Sequence, residues 1–177
     1  MKALKHDSRT ARESSAPAIS PVKEEIAAHD TASAVAVVGH PLHAMMVHFP
    51  IALAFATLGA DVFYWWGGDP FWTRVALWSA GFAFATAVAA GIVGTLELLL
   101  VEGIRVRVAS WTHAIAAMTL ISILGMNWGV RLVDPMAALP HGLGLSLLGG
   151  IFAGFAGWHG GKLIFDHGVG IMVSPKD

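Results

Sequence analysis

The chain has 177 residues, of which 55% are hydrophobic and only 13% charged, well below the ~25% charged share of a soluble domain. The formal net charge of −1 gives no electrostatic footprint for nucleic acid, so no nucleic-acid partner is expected. The absence of cysteine excludes disulfides, iron–sulfur ligation and a thiol nucleophile within this chain. Lipid is the solvent that fits this balance, and twenty Gly and seven Trp suit closely packed membrane helices with interfacial aromatic anchors.

Residues 1–39 read as a disordered cytoplasmic tail, polar, mixed in charge and broken by Pro17 and Pro21, with a short helix near 22–29. The tail lacks the pattern of a secretory signal peptide, so the first apolar run is the expected insertion signal. Residues 40–173 then form a four-transmembrane-helix domain. Its apolar runs cover about 44–66, 71–101, 108–133 and 139–165, each longer than the ~20 residues a spanning helix needs. Gly67-Gly68-Asp69-Pro70 is a tight turn, and Glu102-Gly103 with Arg105 and Arg107 is a charged loop. Asp134-Pro135 ends the third run and Pro140 opens the fourth. Short connections make sequential helices antiparallel. The fold class is therefore all-α: an integral membrane four-helix bundle with a disordered N-terminal tail.

Lys and Arg near the helix ends set the orientation. Lys23, Arg105, Arg107, Lys162 and Lys176 fall on the N-terminal side, against Arg74 and Arg131 on the other. Both termini are expected in the cytoplasm, and the location is the bacterial inner membrane.

Four ionisable residues fall at similar depth near the cytoplasmic side, one from each helix: His48, Glu97, His113 and His159. An ionisable group within a membrane is costly and usually faces the bundle with a role. Glu97 shares a face with Gly94, Ala90, Ala87 and Ala83, and His48 with Ala52, Phe55 and Gly59. His113 stands above Ala116 and Ala117, and His159 lies with Ala156, Phe155 and Phe152. Small-residue stripes are packing faces of membrane helices and leave room for a flat cofactor. His40, His43 and His167 fringe this layer. His43 and His48 are five apart and point about 140° from one another on a regular helix, so the expectation is His48 inward and His43 at the rim.

Taken singly, each histidine reads as a packing residue; their coincidence points to a cofactor. Haem b needs two imidazoles on opposed faces of the iron. His48 and His113 are the preferred pair, with His43 and His159 as further candidates. Arg105, Arg107 and Lys162 are placed to meet the propionates, with Phe49, Phe55, Phe155 and Trp111 along the ring. The alternative is a non-haem zinc or iron centre, to which His48, His113, Glu97, His159 and His167 would contribute. A proton relay or quinone pocket through Glu97, or a scaffold subunit in a homo-oligomer or larger complex, are the remaining readings. No GxSxG, HExxH, phosphate-loop or calcium-loop pattern occurs, and no inverted repeat of interrupted helices is evident. An independent catalytic enzyme is not expected.

The segment GHPLHAMMVHFPIALAF (39–55), the late carboxylate of the second helix, the early histidine of the third and the ending GGKLIFDHGVGIMV (160–173) resemble the bacterial predicted-membrane-protein family, domain of unknown function 2231. The resemblance implies four inner-membrane helices, and its association with Rieske-type domains and c-type cytochromes implies electron transfer with such a partner. It implies marked positions at His43, His48, Glu97, His113 and His167. The family commonly has Asp where this chain has Glu97, and His159 falls where many members have another residue.

Overall fold

The computed structural model describes residues 30–134 and 136–170. The expected helix near 22–29, like the rest of the first 29 positions and the last seven, lies outside the described residues.

Residues 30–39, expected as tail, are instead a strap laid across one end of the bundle. Val38 (φ 50°) and Gly39 (φ 76°) turn the chain between β1 (Ala36–Val37) and β2 (His40–Pro41), which pair antiparallel. Two successive positive φ values make a tight hairpin turn, the reason a glycine stands there. The strap is tied at several points. Thr31 Oγ1 donates to the Gly168 carbonyl at 3.1 Å, and the Gly170 amide donates to the Thr31 carbonyl at 2.9 Å. The Leu42 amide donates to the Val35 carbonyl at 3.0 Å. The polar side chains that mark this stretch as tail-like in sequence are among the groups that fasten it.

The first span is in two pieces, α1 (Leu42–Met46) and α2 (His48–Gly67). Pro50 explains the break: it has no N–H for the Met46 carbonyl, and its ring crowds the preceding turn. The bonds around the break are long, 3.2 Å from the Val47 amide to His43 and 3.4 Å from the Ile51 amide to Val47. Gly68, at φ 69°, closes α2 through a 2.8 Å bond to the Tyr64 carbonyl. Asp69 then caps α3 (Pro70–Leu100) by accepting from the Phe71 amide at 2.8 Å, with Pro70 at the first helical position. A short helix α4 (Glu102–Arg105) leads to α5 (Val108–Val133). A broad turn (Ala138–Gly142) leads into α6 (Leu143–Phe165).

Among the described residues, four spans are long and apolar enough to cross a membrane: Leu42–Gly67, Pro70–Leu100, Val108–Val133 and Ala138–Phe165. Their ends fall within two residues of the sequence-predicted ones. At 31 residues, α3 is ~46 Å long and outruns the hydrocarbon core of ~30 Å. The chain is an all-α, multi-pass membrane four-helix bundle.

The helices form a closed square in which α2 adjoins α3, α3 adjoins α5, α5 adjoins α6 and α6 adjoins α2. The helices α2 and α5 therefore face each other across one diagonal, and α3 and α6 across the other. Small residues let the backbones approach. Ala76, Ala80, Ala83, Ala87 and Ala90 run down the buried face of α3 at alternating steps of four and three. Ala54, Ala83, Ala87, Leu120, Leu124 and Ala153 form the centre, with Leu53, Phe84, Ile121 and Phe152 packed against it. Large side chains such as Trp78, Phe82, Ile115, Ile151 and Trp158 point outward. In lipid this distribution is stable, because association comes from close packing of small faces and not from hiding apolar bulk.

Candidate functional site

At the end covered by the strap, two histidines meet across the bundle. His43 comes from α1 and His113 from the second turn of α5. Their ring centres are 6.3 Å apart and the ring planes cross at 78°. His43 Nδ1 lies 2.9 Å from the Ala90 carbonyl of α3, and His113 Nδ1 lies 3.1 Å from the Ala156 carbonyl of α6. A carbonyl oxygen only accepts, so Nδ1 carries the hydrogen in both rings. In the neutral ring this leaves Nε2 as a bare lone pair. Anchoring one ring nitrogen to a carbonyl is how metal-ligating histidines are commonly oriented.

The expected orientation of the first-span histidines is therefore reversed. His48 is exposed on the outside of the bundle and bonds through Nδ1 to Met45 of its own chain segment at 3.3 Å. Ala52 and Phe55, its expected face-mates, are exposed with it. The buried face of α2 is Pro50, Ala54, Thr57, Ala60 and Asp61. The five-residue spacing does separate the two rings, but the break at Val47 turns His43 inward.

His159 does not join the pair. It lies against Phe155, with ring centres 4.3 Å apart and planes tilted by 48°, and its Nδ1 is on the Phe155 carbonyl of its own helix at 3.1 Å. His167 is exposed beyond the end of α6, and His40 is exposed in the hairpin, bonded to the Val38 carbonyl at 2.8 Å. Glu97 is buried one turn beyond Gly94 and accepts a hydrogen bond from Ser33 of the strap. Arg105 is exposed and donates to the Leu99 carbonyl at 2.8 Å, while Arg107 is buried and donates to the Gly103 carbonyl. Ser110 Oγ, one turn from His113 toward the bundle end, is buried and has no hydrogen-bond partner among the described residues.

A second polar centre lies at the opposite end. Arg131 donates to both carboxylate oxygens of Asp61, at 2.9 and 2.6 Å, and its Nε donates to Asn127 Oδ1 at 2.9 Å. Ser146 Oγ donates to Asp61 at 2.6 Å and accepts from Asn127 Nδ2 at 2.9 Å and from Arg131 at 3.2 Å. The side chains of Arg131 and Asp61 are 3% and 0% exposed. This network joins α2, α5 and α6 and corrects the expectation that Arg131 is an interfacial charge. Sequence reasoning passed over Asp61, Asn127 and Ser146. The signal was present: Asp61 late in one span and Arg131 late in the next but one lie at the same depth, the argument applied at the other end.

The donor set also bears on which cofactor the His43–His113 centre suits. Zinc and non-haem iron take three or four protein ligands. Among the described residues no group of three or more His, Asp and Glu is placed to hold a metal ion. Haem takes two, because the porphyrin supplies the rest. The ring centres stand 6.3 Å apart, close enough for both imidazoles to reach one iron between them. The Ser110 hydroxyl, one turn from His113 and without a partner among the described residues, suits the acidic edge of such a group.

Fold and site define a multi-pass four-helix membrane protein with paired histidines at one end of its interior. The chain belongs to the family described as predicted membrane protein (DUF2231), whose model matches residues 39–172, as the opening and closing motifs led one to expect. No curated protein and no solved structure matches the chain.

Proposed function

We propose that this protein is a membrane b-type cytochrome-like electron-transfer subunit, in which His43 and His113 would hold a haem. The observation that carries the reading is the pair itself: two imidazoles from diagonally opposed spans, 6.3 Å apart, each held through Nδ1 on a neighbouring helix. Bound there, haem would supply reversible one-electron exchange at its iron. The chain's own residues hold the imidazoles apart and aligned. Ala90 and Gly94 of α3 and Ala156 and Gly160 of α6, on which the two rings rest, add little side-chain bulk. Arg107 and Ser110 are assigned to the propionate edge, and Arg105 and Lys162 to the rim.

The histidine end is assigned to the cytoplasmic face of the bacterial inner membrane. Arg105, Arg107 and Lys162 lie at that end, while Arg131 is neutralised by Asp61, which among the described residues leaves Arg74 as the flanking cation opposite. The redox partner is assigned to the Rieske-type or c-type cytochrome class that the family resemblance implies. Titrating haemin into the full chain in detergent tests the reading. Saturation at one haem per chain, with sharp α and Soret bands on dithionite reduction, is the expected result. Folded protein that takes up no haem, or shows only the broad spectrum of free haemin, would overturn it.

A further inference from the structure

The two histidines rest on the same local sequence. Ala90-Gly91-Ile92-Val93-Gly94 of α3 and Ala156-Gly157-Trp158-His159-Gly160 of α6 share the pattern Ala-Gly-x-x-Gly. In each, the alanine carbonyl is the one that accepts from the imidazole, and the second glycine lies four residues on. An α-helix places residue i+4 directly over the carbonyl of residue i, whose helical bond runs to that residue's amide. A side chain there would shield the carbonyl. Without one, the carbonyl's second lone pair is open from the side.

The geometry shows how tight these seats are. A Cβ on Gly94 would stand 2.6 Å from His43 Cε1 and 2.8 Å from its Nδ1. A Cβ on Gly160 would stand 3.0 Å from His113 Cε1 and 3.4 Å from its Nδ1. The arrangement is repeated between the two halves of the bundle. In each half, a histidine near the start of one span sits on the Ala-Gly-x-x-Gly late in the following span. Each half thus delivers one ring to the centre.

We infer that Gly94 and Gly160 are paired positioning residues, each forming with the alanine four residues before it a seat that fixes the tautomer and plane of one imidazole. The seats hold both rings with Nε2 bare and hold their planes crossed. The tautomer needs no cofactor to be seen. The crossed planes, as a property of an iron centre, rest on the haem reading above.

The experiment uses the full chain with ¹⁵N-labelled histidine, purified in detergent without added haem, with His43→Asn and His113→Asn assigning the signals. Wild type is expected to show both rings protonated at Nδ1. Gly94→Ala should remove that signature from His43 and leave His113 unchanged. Gly160→Ala should do the reverse, and its milder contact keeps the test open if Gly94→Ala fails to fold. Gly59→Ala, where nothing lies within 4 Å of the added carbon, should change neither. Retention of both Nδ1–H signatures in both seat variants, or an Nε2–H tautomer in wild type, would overturn the inference. In haem-loaded protein, crossed ligand planes give a strongly anisotropic low-spin electron paramagnetic resonance signal, and Gly160→Ala should convert it toward a rhombic one. A rhombic signal already in wild type would overturn the role in ring planes. Failure to bind haem at all would strike the proposed function while leaving the tautomer result standing.

Discussion

Replacing Asp61 by Asn leaves the shape of the far-end network almost intact but strands the Arg131 charge inside the bundle. Asp61 and Arg131 are 0% and 3% exposed, so the screening that makes surface ion pairs nearly worthless does not apply. Removing one member of a buried pair costs about 3–5 kcal/mol, chiefly because the other charge is left uncompensated. Asp61→Asn and Arg131→Gln should each lose that much. The double replacement Asp61→Leu with Arg131→Met removes both charges at similar volume, and such swaps are often neutral. Asn127 and Ser146 retain their own 2.9 Å bond in the double variant, so its loss should stay within about 2 kcal/mol, set by the weaker hydrogen bonds given up. The assay is reversible unfolding in mixed lipid–detergent micelles with increasing dodecyl sulfate, followed by tryptophan fluorescence. Single variants within ~1 kcal/mol of wild type, or a double variant as damaged as the sum of the singles, would refute this account of coupled buried charges.

Ser33→Ala should loosen the strap, because a hydrogen bond contributes about 0.5–1.5 kcal/mol and this one ties Ser33 to Glu97; the amides of Leu42 and Gly170, bonded to Val35 and Thr31, should exchange with deuterium faster while α3 amides do not. Unchanged exchange at both would mean that Ser33–Glu97 does not hold the strap. Pro50→Ala should restore the helical donor to Met46 and merge α1 with α2, turning His43 away from Ala90; loss of the His43 Nδ1–H signature is the readout, and its persistence would show that Pro50 is not what aims the ring. Leu124→Ala, at a site 1% exposed in the centre of the bundle, should cost about 2–5 kcal/mol through the cavity it leaves, measured by the same micelle unfolding; a loss no larger than that of a lipid-facing control such as Ile151→Ala would count against this core.

The four spans were legible in sequence because lipid imposes length and composition together. A run of apolar residues bounded by Gly-Gly-Asp-Pro or Asp-Pro leaves little freedom about where a helix starts and stops. The gathering of ionisable groups at one end was legible too, since antiparallel topology fixes depth. Which ring faces inward was not. His43 and His48 lie on opposite sides of a break whose rotation depends on Pro50 and on the docking of α1 against α3, neither of which is a matter of periodicity. The strap was illegible for a related reason: Thr31 and Ser33 look like any loop hydroxyls, and their partners lie 137 and 64 residues away. Asp61 escaped notice inside an apolar run, although a lone acid there requires a buried cation at equal depth, and Arg131 supplies it.

The central claim is that His43 and His113, and not the exposed His48, hold a haem. The most direct measurement is the dithionite-reduced minus oxidised spectrum of haem-reconstituted protein for wild type and for His43→Ala, His113→Ala and His48→Ala. Wild type and His48→Ala should give the same sharp α and Soret bands, and His43→Ala and His113→Ala should each lose the low-spin spectrum. Bands that survive in His43→Ala and vanish in His48→Ala would contradict the account.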